Sequence, residues 1–425
     1  MYLHCLQDRD FPMVKQMENE TATVHEVEKK ENGLPRDFKL VILNSGFSRM
    51  GMMAYGIVIL WVTLALTHST VLTGLADGMV SLPLFASFLV GAYIDRSPGK
   101  KTLAILASLA RPSAIVMLFI ALLLHSILLL VLLFFSTSIL IGFTSDVMNS
   151  VRSVWSKRLL NDNTYKKGTS LIQAVTAFAE TAGYGIAGTV LVLGFDRSFL
   201  SLIVIFAAAF LAILPIRAPR EIVNNSGTVA GSVREGMGFI RGNTAIFEIL
   251  VLALLANFIF GTIGVGLTAL VQVDFRLSGI YFGSLLLVFG IAAIFGSILG
   301  SKVSGSVGRE LTVTLFLVGL FIGLVGLSPS IFYDYFLMVG TGILIGLVNV
   351  AVSTLAIKKV PEGMMARVQG TFSTFGLGMT FLSGTVGGVI IALSSVRIML
   401  GTVCIAAMII AAMSLTFGEL NRTRI

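Results

Sequence analysis

The stretch GAYIDRSPGKKTL, residues 91–103, is a charged interruption between two long apolar segments. Four charged residues arrive within its middle part, with apolar runs of similar length on either side. A phosphate-binding loop would need a glycine five residues before the Gly-Lys pair and a serine or threonine directly after it. Those two positions hold Ile94 and Lys101. The stretch is therefore no nucleotide-binding loop, and we interpret it as a short joint between two membrane helices.

The composition of the whole chain indicates an integral membrane protein. Of the 425 residues, 56% are hydrophobic and only 12% are charged, whereas soluble domains contain roughly 25% charged residues. The two cysteines and four histidines show no disulfide or metal-binding spacing, so we expect neither a metal nor another cofactor. The segment 1–36 is polar, mixed in charge and without the apolar core of a signal peptide, and we expect a cytoplasmic tail there.

Twelve apolar runs follow this tail, each near the length of about 20 residues that a membrane-spanning helix needs. The pattern predicts an all-α membrane protein with twelve spans. They cover residues 38–67, 70–95, 101–124, 126–151, 168–193, 197–216, 244–271, 278–302, 309–328, 331–357, 368–393 and 397–417.

The basic residues predict how these spans are oriented. If both termini are cytoplasmic, 25 of the 30 lysines and arginines fall in cytoplasmic segments. Only Arg197, Arg276 and Arg397 fall in the opposite loops. This bias follows the positive-inside rule and predicts cytoplasmic termini. It also accounts for the net charge of +8 without a nucleic-acid partner.

The two halves of the chain resemble each other weakly. The basic segments 157–169 and 358–371 lie about 201 residues apart, each between the fourth and fifth spans of its half. Two similar halves are typical of transporters that rock about a central site. We predict six-helix bundles and flanking segments with these bounds: bundles over 37–216 and 244–417, a cytoplasmic linker over 217–243 and a cytoplasmic tail over 418–425.

The opening stretch also carries a resemblance to a known family. It is similar to the Gly-x-x-x-Asp-Arg-x-Gly-basic-basic signature that the major facilitator superfamily has between spans two and three, with one residue inserted at Ser97-Pro98. The chain looks closest to the branch of macrolide and siderophore exporters, with supporting matches that include Ser48-x-x-Gly51 and Trp61. The residues that fit the signature are Gly91, Asp95, Arg96, Gly99, Lys100 and Lys101.

Two departures from that branch concern proton coupling. Proton-coupled exporters often carry a proline within a glycine-rich motif of span five, but residues 183–188 read GYGIAG. An acidic residue commonly follows the glycine of span one, and here that position is Met52. Both differences put the usual coupling scheme of the branch in doubt.

Four charged residues fall deep inside the spans, all of them in the first half: Arg49, Asp77, Arg111 and Glu180. A charge in hydrocarbon is costly, so such residues normally face a cavity or a partner. The resemblance implies that Arg49, Asp77 and Glu180 border the central cavity and that Arg111 lies further out. One hypothesis is that Glu180 or Asp77 carries a proton while Arg49 tunes it. The alternative is a permanent ion pair of Arg49 that only holds helices together.

The second half offers polar rather than charged candidates. Asn257 in span seven and Asn349 in span ten could bind substrate or form hydrogen bonds between helices. Small residues in spans five and eleven predict close helix packing, or flexing of span five during transport. These residues are Gly183, Gly185, Gly188, Gly384 and Gly388.

The resemblance implies a second role for residues 91–103, in addition to the basic charge that helps to orient the spans. It implies that Asp95 lies near the start of span eleven, where a helix N-terminus attracts a carboxylate. Arg96 or Lys100 would then reach Asp146 near the cytoplasmic end of span four. Such contacts would hold the two halves together when the cavity opens outward.

These features together predict a plasma-membrane secondary transporter, expected to be a monomer in the lipid bilayer. The first hypothesis is export of small amphipathic or hydrophobic molecules, with protons as a candidate coupling ion. The alternative is import of a small metabolite on the same fold. A membrane enzyme would need clustered catalytic side chains, which the scattered histidines do not provide. A membrane sensor is a remote third alternative, since such a protein usually carries an extra soluble module.

Overall fold

The computed structural model describes most of the chain from residue 34 onward. The expected tail before that residue, residues 218–228 of the expected linker and the basic segment 362–367 lie outside the described residues. The described ranges are 34–124, 126–217, 229–300, 305–361 and 378–423, with positions 368, 370–372, 374 and 376.

The first half consists of six membrane spans. Span two is built from two short helices joined by a 3-10 turn, which bends it around Pro83. Span four continues to Leu159, well past the end of the apolar run in the sequence. The spans are Arg36–Thr67, Thr70–Ser81 with Leu82–Ala86 and Ser87–Arg96, Lys100–Leu123, Ile127–Leu159, Asp162–Val192 and Phe195–Ile213.

A helix of the linker, Val229–Gly242, leads into the second half, and a short helix, Gly418–Arg422, follows it. Ten helices in the described chain are long and apolar enough to cross a membrane, and spans two and eleven contain shorter apolar helices. The predicted all-α fold with twelve spans is confirmed. Spans seven to twelve are Thr244–Phe260 with Ile263–Ala269 and the π-helical Leu270–Asp274, then Gly279–Gly300, Val307–Leu327, Ile331–Lys359, Thr380–Leu393 and Val396–Ser414.

Polar caps explain how helices of such apolar sequence begin where they do. At six spans a serine or asparagine side chain accepts a hydrogen bond from a backbone N–H of the first turn, which would otherwise lack a partner. Caps of this kind allow joints of only two or three residues, so consecutive spans run antiparallel. The capping residues are Ser69, Ser126, Asn161, Asn243, Ser330 and Ser395.

The two ends of the helix bundle differ in charge. We call the end that carries Lys101, Lys157 and Lys358 the basic end, and the end that carries the joint between spans one and two the far end. Spans two and eleven pack against each other, as do spans five and eight, and these two pairs join the halves. Each pair combines the second span of one half with the fifth span of the other. This exchange is what an internal repeat of two six-helix bundles produces.

Glycines allow the halves to approach closely at both pairs of spans. A Cβ atom added to Gly384 in span eleven would lie 2.7 Å from the backbone oxygen of Gly74 in span two. One added to Gly188 in span five would lie 2.7 Å from the Cα atom of Gly283 in span eight. No ordinary side chain fits at such distances, so only glycine permits these contacts.

The other two glycines of span five, Gly183 and Gly185, pack against two different spans. A Cβ atom added to Gly183 would lie 2.6 Å from the backbone oxygen of Met50, so this glycine brings span five against span one. A Cβ atom added to Gly185 would lie 3.3 Å from Leu287 of span eight. Span five therefore packs closely on both halves within a few residues.

Candidate functional site

Arg49 in span one and Glu180 in span five form an ion pair near the middle of their helices. The Nη2 and Nε atoms of Arg49 both donate to Oε2 of Glu180, at 2.8 and 3.0 Å. The two side chains nevertheless keep 40% and 33% of their accessible surface. Arg49 lies about 20 Å along span one from the basic end, at roughly 1.5 Å per residue. A charged pair this exposed at this depth indicates a polar cleft between the helices, because hydrocarbon would penalise it.

Tyr184 holds the other oxygen of the same carboxylate. It lies one helical turn after Glu180, and its hydroxyl donates to Oε1 at 3.3 Å. The close approach at Gly183 brings span five to span one and so places Glu180 within reach of Arg49. Two polar groups on different sides therefore fix the orientation of the carboxylate.

Asp77 lies apart from this pair, on the boundary between the two halves. Its Oδ2 atom would lie 3.4 Å from a Cβ atom added to Gly384 in span eleven and 3.9 Å from one added to Gly264 in span seven. Asp77 makes no hydrogen bond or ion pair with any residue that the structure describes. Of the two predicted carboxylates, therefore, Glu180 pairs with Arg49 and Asp77 faces the opposite half.

Arg111 is buried among helices of the first half, with 2% of its surface exposed. Its Nε atom donates to the hydroxyl of Thr144 at 2.9 Å, and its Nη2 atom to that of Ser145 at 3.2 Å. Its guanidinium carbon lies 5.9 Å from the centre of the Phe206 ring, within the range of a cation–π contact. All these partners are uncharged, and among the described residues no carboxylate pairs with Arg111.

Arg152 belongs with these charges, although the sequence placed it in a cytoplasmic loop. Span four continues beyond it, and Nη1 of Arg152 donates to the side chain of Asn149 at 3.1 Å. Its Nε atom is buried and has no hydrogen-bond partner in the described structure. A signal existed in the sequence: Met148, Val151 and Trp155 recur at helical spacing, and all three are buried.

The second half contributes polar groups without charge at this depth. The amide of Asn257 donates to the backbone of its own helix, at Ala253, and Asn349 is exposed on span ten. The ion pair of the second half, Arg397 with Asp274, lies instead at the far end. No three histidine, cysteine or acidic side chains come together as a metal site in the part of the chain that the structure describes.

The far end is closed by contacts between the halves. Trp61 of span one stacks on Phe282 of span eight, with ring centres 6.1 Å apart. The hydroxyl of Thr70 in span two donates to the backbone oxygen of Gly388 in span eleven at 2.7 Å. These contacts hold the two halves together at the far end.

The charged joint between spans two and three is described in part. Nζ of Lys100 donates to the backbone oxygen of Ser97 at 2.6 Å. Asp146 is buried and accepts a hydrogen bond from Ser87 at 2.7 Å, and no ion pair joins it to Lys100. Gly91, Gly99 and Lys101 are described, whereas the side chains of Asp95 and Arg96 lie outside the described part. The predicted contacts of the latter two remain predictions.

Comparison with known proteins agrees with the helical arrangement. Residues 41–384 match the family model of the Major Facilitator Superfamily. The chain is 26% identical over 323 residues to the uncharacterized MFS-type transporter YkuC of Bacillus subtilis (strain 168), covering 71% of this chain and 73% of that protein.

Solved transporters share the fold at low sequence identity. A POT family transporter in complex with a thioalcohol-conjugated peptide superposes with a TM-score of 0.71 at 15% identity, over 92% of this chain and 97% of that one. A bacterial homologue of the iron transporter ferroportin in an inward-facing state gives 0.69 at 16% identity, over 92% and 100%. The nucleoside transporter NupG gives 0.69 at 13% identity, over 92% and 100%. The chain belongs to the Major Facilitator Superfamily and is a membrane transport protein rather than an enzyme.

Proposed function

We propose that the protein exports small amphipathic or hydrophobic organic molecules across the plasma membrane by alternating access, driven by protons. The observation that carries this proposal is the half-exposed ion pair of Arg49 and Glu180 in a cleft near the middle of the membrane. A charged pair at this depth offers both a substrate contact and a carboxylate able to take up a proton.

The proposed orientation places both termini and the basic end in the cytoplasm. The bias of 25 basic residues against three supports it. Because the contacts at the far end would then close the outer side, we propose that this conformation faces inward, where an exporter loads its substrate. We propose that the protein acts as a monomer, since each chain contains both halves of the cleft.

Export is favoured over import by the resemblance of span one to the macrolide and siderophore exporter branch. Ser48-x-x-Gly51 and Trp61 support that branch. Import of a small metabolite on the same fold is the second candidate. The two candidates make opposite predictions for the direction of substrate movement under one proton gradient.

The alternation would occur at the contacts between halves. In the described state, the Thr70–Gly388 hydrogen bond and the Trp61–Phe282 stack close the far end. Rocking of one half against the other would break these contacts and close the basic end instead. The close contacts at Gly74–Gly384 and Gly188–Gly283 would be the surfaces along which the two halves slide.

Glu180 is the first candidate for the proton carrier. Protonation would remove its negative charge, weaken its bond to Arg49 and free the guanidinium for substrate. Asp77 is the second candidate, because it faces spans seven and eleven of the other half. The position after the span-one glycine, which is often acidic in the exporter branch, is Met52 here. Glu180 and Asp77 are therefore the two carboxylates that we propose as proton carriers.

The test is dye transport in liposomes that contain the purified protein, with a proton gradient imposed in either direction. Wild type is expected to move rhodamine 123 against the proton flow, and Glu180→Gln or Asp77→Asn is expected to lose the gradient dependence. Asp196→Asn, an exposed carboxylate at the start of span six, is the matched control and should behave as wild type. Unchanged gradient dependence in both deep variants would end the proton-relay proposal. Dye movement along with the protons would favour import.

A further inference from the structure

The short helix that follows span twelve, Gly418–Arg422, is packed against the basic end of the second half. Its residue Leu420 has no exposed surface. We call residues 417–423, the helix with one residue on either side, the clamp segment. The side chain of Leu420 belongs to an apolar cluster with residues of spans seven, nine, ten and twelve, among them Ile249, Leu311, Leu355 and Ile410.

Glu248 of span seven holds the start of the clamp segment. Its Oε2 atom accepts a hydrogen bond from the backbone N–H of Leu420 at 2.8 Å, and only 8% of its surface is exposed. The N–H groups in the first turn of a helix have no acceptor within that helix. Phe417, the residue before the helix, has no side-chain group that could accept one. The carboxylate of a distant span therefore provides the cap that the local sequence lacks.

The end of the clamp segment is bonded to the start of span nine. The backbone N–H of Val307 donates to the backbone oxygen of Thr423 at 3.0 Å. Ser306 makes no side-chain hydrogen bond to its own helix, and its hydroxyl donates instead to the backbone oxygen of Asn421. A Cβ atom added to Gly308 would lie 2.8 Å from the Cα atom of Asn421, so the glycine permits this close approach.

The side chain of Asn421 binds the end of span twelve. Its amide donates to the backbone oxygens of Ser414 and Leu415, both at 3.2 Å. The carbonyl groups in the last turn of a helix have no donor within that helix. The clamp segment therefore supplies hydrogen-bond partners to span nine and span twelve, and receives one from span seven.

We propose that the clamp segment joins the basic ends of spans seven, nine and twelve into one rigid body, with Glu248 as its anchor. The three helix ends are bonded to the same few residues, so loss of one bond loosens the other two. The basic end is one of the two ends that open and close in alternating access, and the second half then rocks as a unit there. This inference goes beyond the proposed transport activity and holds for export and import alike.

Hydrogen exchange measured by mass spectrometry on the full-length protein in lipid nanodiscs tests the clamp. Glu248→Leu removes the acceptor of the Leu420 N–H, so exchange in residues 417–423 should rise about 10-fold or more. Exchange should rise equally at the start of span nine, residues 306–312, although the bond of Glu248 runs to Leu420. Glu248→Gln keeps an acceptor and should stay within about three-fold of wild type. Glu419→Leu, the same change at an exposed carboxylate of the clamp segment, is the matched control.

A second variant approaches the clamp from its other end. Asn421→Leu removes the amide that binds the end of span twelve, and it should raise exchange in the same two segments. Wild type alone gives an answer that does not depend on the folding of a variant, because residues 417–423 should be protected from exchange in it. The measurement needs no substrate, so it is also independent of the proposed transport.

Three results would overturn the proposal. The first is exchange of residues 417–423 in wild type at the rate of an unprotected chain. The second is a rise confined to residues 417–423 in Glu248→Leu, since the bonds to span nine would then be independent of the anchor. The third is an equal rise at the far end of span twelve, residues 396–403, since the variant would then loosen the whole half rather than the clamp.

Discussion

Two ion pairs, one in each half of the molecule, differ in depth. Arg49 and Glu180 meet near the middle of their helices, at 2.8 Å, within the first half. Arg397 and Asp274 meet at the far end of the second half, at 3.4 Å. An ion pair at the end of a span is in contact with water, so placing its charges there costs little free energy. An ion pair at mid-depth is stable only if polar surroundings replace the hydrocarbon around it. Among the described residues, the ion pair at mid-depth therefore belongs to the first half.

The largest expected effect comes from removing the deep carboxylate. Glu180→Gln leaves Arg49 without its charged partner and removes the candidate proton carrier, so gradient-driven transport should fall about a hundred-fold, equivalent to roughly 3 kcal/mol. Initial rates of dye transport in liposomes measure this. Asp274→Asn is the control from the other half and should keep transport near wild type. Similar losses in both variants would remove the distinction between the two halves.

The next largest effect is expected where the halves meet. Gly384→Leu places a side chain where even a Cβ atom would lie 2.7 Å from the Gly74 oxygen, so spans two and eleven must separate. Overpacking of this kind costs about 1–3 kcal/mol, and transport should fall roughly 10-fold. Gly401→Leu in span twelve, where an added Cβ atom meets open space, is the matched control. Equal rates in the two variants would contradict the close contact between halves.

A smaller effect is expected from the hydrogen bond that closes the far end. Thr70→Val keeps the side-chain shape but removes the donor to Gly388, so it should favour the state open at the far end by about 1 kcal/mol, or roughly five-fold. Hydrogen exchange of the backbone in spans two and eleven would report this shift. Thr402→Val, whose hydroxyl bonds within its own helix, serves as control. Hydrogen exchange in Thr70→Val equal to that of wild type would show that the Thr70–Gly388 hydrogen bond does not control the equilibrium between the two conformations.

The smallest effect is expected at the exposed ion pair of the second half. Arg397→Gln removes a pair whose side chains keep 47% and 29% of their surface, so the free energy of unfolding should change by less than about 1 kcal/mol. Thermal unfolding in detergent measures this against wild type. A fall of several kcal/mol in the free energy of unfolding would show that the two ion pairs do not differ in importance as their depths predict.

The number of spans was predictable from apolar length alone, because a membrane allows few backbone structures. The four charged residues deep in the spans were predictable for the same reason.

The interaction partners of these residues were not predictable, because the rotation of each helix decides whether Asp77 or Glu180 faces Arg49. Arg152 was missed because its flanking residues are polar enough to read as a loop, although Trp155 beyond it is buried. Contacts between distant spans, such as Arg111 with Phe206, leave no pattern in one sequence.

We propose that the Arg49–Glu180 pair couples proton movement to substrate movement. The most direct measurement is proton flux, recorded with a pH-sensitive dye inside liposomes when substrate is added outside. We predict substrate-dependent proton movement in wild type and in Asp274→Asn, and none in Glu180→Gln. Substrate-dependent proton movement that persists in Glu180→Gln would contradict the account.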